Sequence, residues 1–282
     1  MIEKKKYSFL SGKPGAGIIL FIFAFILYGN TLTHKYALDD SMVIVENQFT
    51  RQGIAGIKDI FSHDTFTGFF GKEKNLVSGG RYRPLSLVTF ALEYELAGGL
   101  NPFLSHLINV LLYALTGFMI FVIFARIFDP DLPVFTNKKF RLSLPLIIAL
   151  FFTAHPLHTE VVANIKGRDE IMAFLGALCS LYFTIRYIEN KKSYTLLLSF
   201  IFLFAGLLSK ESVITFLAII PLTIYFFCRP KIKHLLIILI PLLAASITFL
   251  WIRFHVIGMP DQPPTGELMN NPFLHANAVE KY

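Results

Sequence analysis

Four short clusters hold most of the side chains in this chain that are suited to chemistry. Asp39-Asp40 is a pair of adjacent carboxylates. Neighbouring acids close to a low-dielectric region separate in proton affinity, which suits one of them to general-base work. Capping of the next helix is the plainer role for the same pair. The second cluster, His155-Pro156-Leu157-His158-Thr159-Glu160, offers two imidazoles and a carboxylate. Its spacing matches neither a zinc helix nor a zinc finger, so it points to hydrogen bonding at a helix junction or to orienting a substrate, and no metal is expected. The third, Lys166-Gly167-Arg168-Asp169-Glu170, reads first as a charged boundary with acids at a helix N-terminus. The fourth, Ser209-Lys210-Glu211, separates two apolar blocks with almost no loop. A Lys210–Glu211 pair holding two helix ends is the plain account, yet charges placed there are costly unless they face a cavity or a ligand. Arg83, beside Pro84, adds one more cation. Together, Arg83, Lys166, Arg168 and Lys210 could hold an anion by charge-assisted hydrogen bonds.

The elements that must position these residues are apolar. Of 282 residues, 54% are hydrophobic and only 16% charged, with 30 Phe, and the mean hydropathy is +0.59. A soluble domain carries about 25% charged residues. The apolar residues fall in blocks, which excludes an ordinary soluble enzyme, a disordered chain and a disulfide scaffold. Cys179 and Cys228 lie inside such blocks and read as small core residues. Walker, dinucleotide and HExxH motifs are absent, which removes ATP, nicotinamide and metalloprotease chemistry.

Seven apolar segments run from about Gly17 to Leu32, Leu104 to Phe128, Leu142 to Ala154, Ile171 to Ile188, Tyr194 to Leu208, Val213 to Cys228 and Leu235 to Ile252. The expected fold is therefore all-α: a polytopic membrane helical bundle of about seven spans, with interfacial helices in the outer loops. Pro84 to Ala97 is amphipathic, carries Glu93 and Glu95, and is expected at the interface. No small-residue cleavage site closes the first apolar run, so that run is read as a retained anchor. With the N-terminus in the cytoplasm, that side holds 14 basic residues against four acidic ones, and the other side holds 12 against 15. That is the positive-inside pattern. The chain is thus expected to be a multi-pass cell-membrane protein with its first outer loop over 34–83 and its active site on the periplasmic or lumenal face. Residues 1–258 form the expected membrane module, and 259–282 an outer-face C-terminal segment.

The sequence also resembles the transmembrane and tetratricopeptide-repeat O-mannosyltransferases (TMTC), within the C-type glycosyltransferase superfamily. The stretches that carry the resemblance are LDDSMVIVENQ, RYRPLSLVTFALEY, NPFLSHLINVLLY, HPLHTEVVANIKGRDEI and LLSKES, in the family's order. The resemblance implies a membrane transferase that uses a polyprenyl-phosphate sugar, with mannose the family-level sugar and a protein Ser/Thr hydroxyl or a glycan the acceptor. It places the family's acidic motif on Asp39 and Asp40, and its histidine-glutamate motif on His155, His158 and Glu160. Family members continue through more spans and a repeat array, whereas no ~34-residue repeat is found before Tyr282, so a truncated C-terminal part is expected.

The residue inventory suits that chemistry. A phosphate already leaves well, so one carboxylate at Asp39 or Asp40 suffices as base, with Arg83, Lys166, Arg168, Lys210 and the neighbouring Glu211 around the phosphate. A single displacement inverts the anomeric carbon. No cofactor beyond the lipid-linked donor is expected, and the partners are the donor, the acceptor and membrane lipids, not nucleic acid. The rival readings are a non-catalytic membrane scaffold or lipid-binding subunit, and a transporter. The transporter reading is disfavoured because charges are nearly absent from span centres.

Overall fold

The computed structural model describes residues 13–71, 80–128 and 138–258. The basic opening Met1 to Lys6 and the segment 259–282 lie outside the described residues. In chain order the α-helices are α1 (Lys13–Tyr28), α2 (Gln48–Arg51), α3 (Ile57–Ser62), α4 (Thr67–Phe70), α5 (Pro84–Ala97), α6 (Pro102–Ile127), α7 (Lys138–Ala154), α8 (His158–Ala163), α9 (Arg168–Asn190), α10 (Ser193–Ser209), α11 (Phe216–Thr223) and α12 (Ile232–Ile257). The all-α membrane bundle expected from the sequence is present, and each of the seven apolar segments is helical.

The number of full-length crossings differs from seven. Among the described residues five helical stretches are long and apolar enough to cross a membrane: Gly15–Thr33, Pro102–Ile127, Ile165–Asn190, Glu211–Cys228 and Ile232–Ile257. The helices α7 and α10 have 17 residues each. At 1.5 Å per residue they reach only about 25 Å, short of a hydrocarbon core of about 30 Å.

Local sequence explains the helix ends. Pro84 and Pro102 occupy first turns, where the missing N–H costs nothing. Asn101 caps α6 by accepting from the Leu104 amide at 3.1 Å. α5 stops at Gly98, whose φ of 67° suits glycine. The helices pack around an apolar core that includes Leu20, Phe121, Ala149, Ala177, Leu207, Ile238 and Phe249. Outside it, Ile26, Phe151, Leu197, Ile240, Ile247 and Trp251 are exposed, an apolar outer surface suited to lipid. The helices α9 and α10 approach closely: a Cβ on Gly176 would lie 2.8 Å from the Phe202 carbonyl and 2.9 Å from the Gly206 Cα. Close backbone approach through small residues is the membrane way of packing helices. Inside the pair, the Ser199 hydroxyl lies 2.9 Å from those of both Ser180 and Thr184.

The connections sort to two ends. At one end, Arg126 of α6 pairs with Glu189 of α9 at 2.8 Å, and the Tyr187 ring meets the His234 ring of α12. The other end carries the folded segment 34–70, α5, α8 and the turns at 164–167 and 210–211. The segment 34–70 is pinned by Asn47, which is fully buried. Its Oδ1 accepts from the amides of Phe49 and Thr50, while its Nδ2 donates to the carbonyls of Met42 and Thr65. Val43, Ile44, Ile60 and Phe66 then pack on Leu87, Phe90 and Ala91 of α5 and on Ile165.

α5 has the expected bounds but not the expected faces. Glu93 is buried among neighbouring helices, and Glu95 accepts from the Ile54 amide at 3.3 Å. Gly53, at φ 61°, lies so near Glu95 that any Cβ there would collide with its carboxylate.

Candidate active site

The Asp39-Asp40 pair sits on a tight turn. The Asp40 amide donates to the Ala37 carbonyl at 3.0 Å, and Leu38 has φ 49°, a left-handed conformation that costs a branched residue about 1–2 kcal/mol. Backbone strain of this kind persists only where surroundings enforce it. Here the enforcing group is Asp40 itself. Its Oδ2 accepts from the Ala37 amide at 3.0 Å and its Oδ1 from the Lys166 amide at 2.8 Å. Asp40 is 1% exposed. Burial pushes its carboxyl above the usual carboxylate range, and the two amides pull it back. Asp39 is the opposite case. Its side chain is 46% exposed, and its Oδ2 meets the Lys166 ammonium at 3.0 Å.

Lys166 precedes Gly167 and α9, whose first residues carry three successive charges that reach three different partners. The Arg168 guanidinium is fully buried and ion-paired to Glu93. It also donates to Asn109 Oδ1 at 2.7 Å, Thr89 Oγ1 at 3.1 Å and the Ser105 carbonyl at 2.8 Å. Asp169 meets Arg83 at 2.8 Å. Glu170 meets Lys210. Arg83 completes a second, two-toothed contact with Glu211, at 3.1 and 3.0 Å.

The paired holding of two helix ends by Lys210 and Glu211 is therefore replaced by two cross-links. Lys210 lies in extended backbone, φ −160° and ψ 134°, where successive side chains point to opposite sides. The result is a cluster of three cations (Arg83, Lys166 and Lys210) interleaved with four carboxylates (Asp39, Asp169, Glu170 and Glu211). Burial holds the Lys210 ammonium below the usual lysine range. Arg83, Lys166 and Asp169, with Arg81, also line a small recess under α5.

A larger cavity of about 440 Å³ opens beside Glu170. Its wall is mostly apolar, from Phe152, Val161, Ile171, Phe174, Val213 and Phe216, with Tyr113, His158 and Ser212 as polar points. His158 Nδ1 lies 2.8 Å from both the Phe152 carbonyl and the Tyr113 hydroxyl. The consistent arrangement has Nδ1–H donating to Phe152 and Tyr113 donating to the Thr153 carbonyl at 3.1 Å. Burial lowers the His158 pKa. His155 is exposed and turns its Nδ1 to the Leu157 amide. Glu160 is exposed on α8. Of the second cluster, then, His158 alone reaches the cavity wall. Among the described residues no group of three or more His, Cys, Asp or Glu is placed to hold a metal.

Ser105, Asn109 and Tyr113 were not singled out from the sequence, and Glu93 was expected at the interface rather than buried. A usable signal was present: Asn101, Ser105, Asn109 and Tyr113 recur every four residues along an otherwise apolar helix, which puts them on one face.

The fold and the charged end define a polytopic helical membrane protein with a cation–carboxylate cluster at one end of the bundle. Over the length it shares with them, the chain belongs to the TMTC-like family. It is 31% identical to human "Protein O-mannosyl-transferase TMTC4" over 61% of its length, and 35% identical to human "Protein O-mannosyl-transferase TMTC1" over 57%. Its identity to human "Protein O-mannosyl-transferase TMTC2" is 30% over 90% of its length. The chain spans 22%, 17% and 30% of these relatives, respectively. No family model matches the chain, and no solved structure matches it.

Proposed function

We propose that this membrane module transfers a sugar from a polyprenyl-phosphate donor to a hydroxyl acceptor, with Asp39 as the base. The relatives are named as protein O-mannosyl-transferases, which favours mannose as the sugar and a protein Ser/Thr hydroxyl as the acceptor. One observation carries the reading: of the two adjacent aspartates, Asp39 is the one with an accessible carboxylate, and it stands 3.0 Å from a lysine ammonium. Asp40, with both oxygens engaged by amides, builds the turn that presents it.

In this reading Asp39 takes the proton of the acceptor hydroxyl as that oxygen bonds to the anomeric carbon. The sugar–phosphate C–O bond breaks from the far side, so the configuration inverts. The bonding electrons leave with the polyprenyl phosphate, and Lys166, Lys210 and the free N–H groups of Arg83 stabilise its charge. Arg168 has no part in this, because its donors are turned to Glu93, Asn109, Thr89 and Ser105. The apolar cavity beside Glu170 and Lys210 suits the first part of the isoprenoid chain, at a volume typical of ligand sites. The charge asymmetry of the connecting segments favours a cytoplasmic N-terminus, with the cluster on the periplasmic or lumenal side.

The test is sugar transfer in proteoliposomes holding the full chain, with labelled polyprenyl-phosphate mannose and a Ser/Thr peptide. Asp39→Asn is expected to lower turnover by about 10²–10⁴-fold with the melting temperature unchanged. Full turnover in the Asn variant would remove Asp39 as base and with it the proposed mechanism.

A further inference from the structure

The apolar helix α6 buries an amide completely at Asn109, and it does so against the turn that carries Lys166. Asn109 Oδ1 accepts from Arg168 Nε at 2.7 Å. Its Nδ2 donates to the carbonyls of Asn164 and Ile165, at 3.3 and 3.2 Å. The next amide along the chain, that of Lys166, donates to Asp40 Oδ1 at 2.8 Å and, more weakly, to Asn164 Oδ1 at 3.2 Å. The anchor behind Asn109 is stiff. Arg168 is ion-paired to Glu93 and lies over the Phe90 ring at 4.3 Å. The second Glu93 oxygen accepts from the Ser105 hydroxyl at 2.6 Å.

We propose that Asn109 is a positioning residue for the Asp39–Lys166 pair. It holds the two carbonyls that precede Lys166, so that the backbone amide of Lys166 meets Asp40 while its ammonium meets Asp39. A buried amide that served stability alone would need only to be satisfied somewhere in the core. This one is shared between the start of α9 and the turn before it, which fixes the angle at which Lys166 leaves that turn. The catalytic half of the inference rests on the reading of Asp39 as base; the mechanical half does not.

Asn109→Asp keeps an oxygen for Arg168 and removes the N–H donors to the two carbonyls. Asn109→Ala removes both without adding charge, and stands in should the Asp variant fail to fold. Two readouts are taken on the full chain in proteoliposomes: hydrogen–deuterium exchange of peptides covering 162–168, and transfer from labelled polyprenyl-phosphate mannose. The expected result is lost protection of the Lys166 amide and a kcat lower by about 10²-fold, with the donor KM close to wild type. A folded variant that keeps protection at Lys166 would overturn the proposal, as would lost protection with wild-type kcat. If Asp39→Asn retains full turnover, the base assignment falls by itself, and the exchange measurement still decides whether Asn109 holds the turn.

Discussion

Two ion pairs made by residues two apart in sequence have opposite surroundings. Lys166 pairs with Asp39 where the carboxylate is 46% exposed. Arg168 pairs with Glu93 where the guanidinium is fully buried and the carboxylate nearly so. The exposed pair is screened and its partners can be exchanged, so it is worth little to stability and is free to meet a ligand. The buried pair is locked: breaking it strands a charge away from water. Neighbouring cations of one short motif therefore divide the work. Lys166 faces the reacting groups in the proposed mechanism, while Arg168 holds the frame that aims it.

The comparison breaks most directly at the buried member. Arg168→Met leaves Glu93 unpaired and is expected to destabilise the protein by about 3–5 kcal/mol, read from unfolding in detergent. Adding Glu93→Leu should recover part of that loss by removing the stranded charge, while Asn109 Oδ1 and the Ser105 carbonyl still lack the Arg168 donor. A single variant as stable as wild type would mean that the network is not the frame described.

Lys210 tests the exposed side. Its partner Glu170 has a side chain 42% exposed, so Lys210→Gln should barely move the melting temperature. Loss of a charged hydrogen bond to phosphate should weaken donor binding by about tenfold or more. The reverse pattern, lower stability with normal binding of the lipid phosphate, would make Lys210 a strut.

His158 lies between these extremes, and there the handle is pH. Burial lowers its pKa from the ordinary 6.5, so the folded state prefers the neutral ring. Its stabilising contribution is present above pH 6.5 and is lost as pH falls through the folded value. The melting temperature should therefore drop on acidification in that range, and His158→Gln should remove that part of the pH dependence. An unchanged pH profile in the Gln variant would assign the drop to other groups.

The helices were legible in the sequence because apolar runs and their punctuation are local. Pro84 to Ala97 has the bounds of α5, while the run read from Leu104 begins two residues inside α6, whose start is set by the Asn101 cap and Pro102. The charged clusters were legible too, but their partners were not. Glu211 follows Lys210 in sequence and pairs with Arg83, while Lys210 crosses to Glu170. Pairing of this kind depends on which elements meet at one end of the bundle, and no periodicity reports that. That Asp40 is buried on two amides while Asp39 stays exposed beside the Lys166 ammonium was likewise closed to sequence, because it depends on which elements fold against the turn. Glu93 looked like surface charge on an amphipathic helix for the same reason: its partner is 75 residues away.

The split partners of Arg83 have a consequence for synthesis. Glu93 and Arg168, and the Asp169 that takes one side of Arg83, are all present once the chain has been made through the start of α9. Glu211, which takes the other side, and Lys210, which meets Glu170, arrive only after α9 and α10 have both been made. Those two helices are joined by only Lys191 and Lys192, so they form a helical hairpin. A ribosome-bound chain stalled before residue 210 thus has everything needed for the buried frame and lacks Lys210 and Glu211 of the charged cluster, which makes that cluster the last part of this end to close.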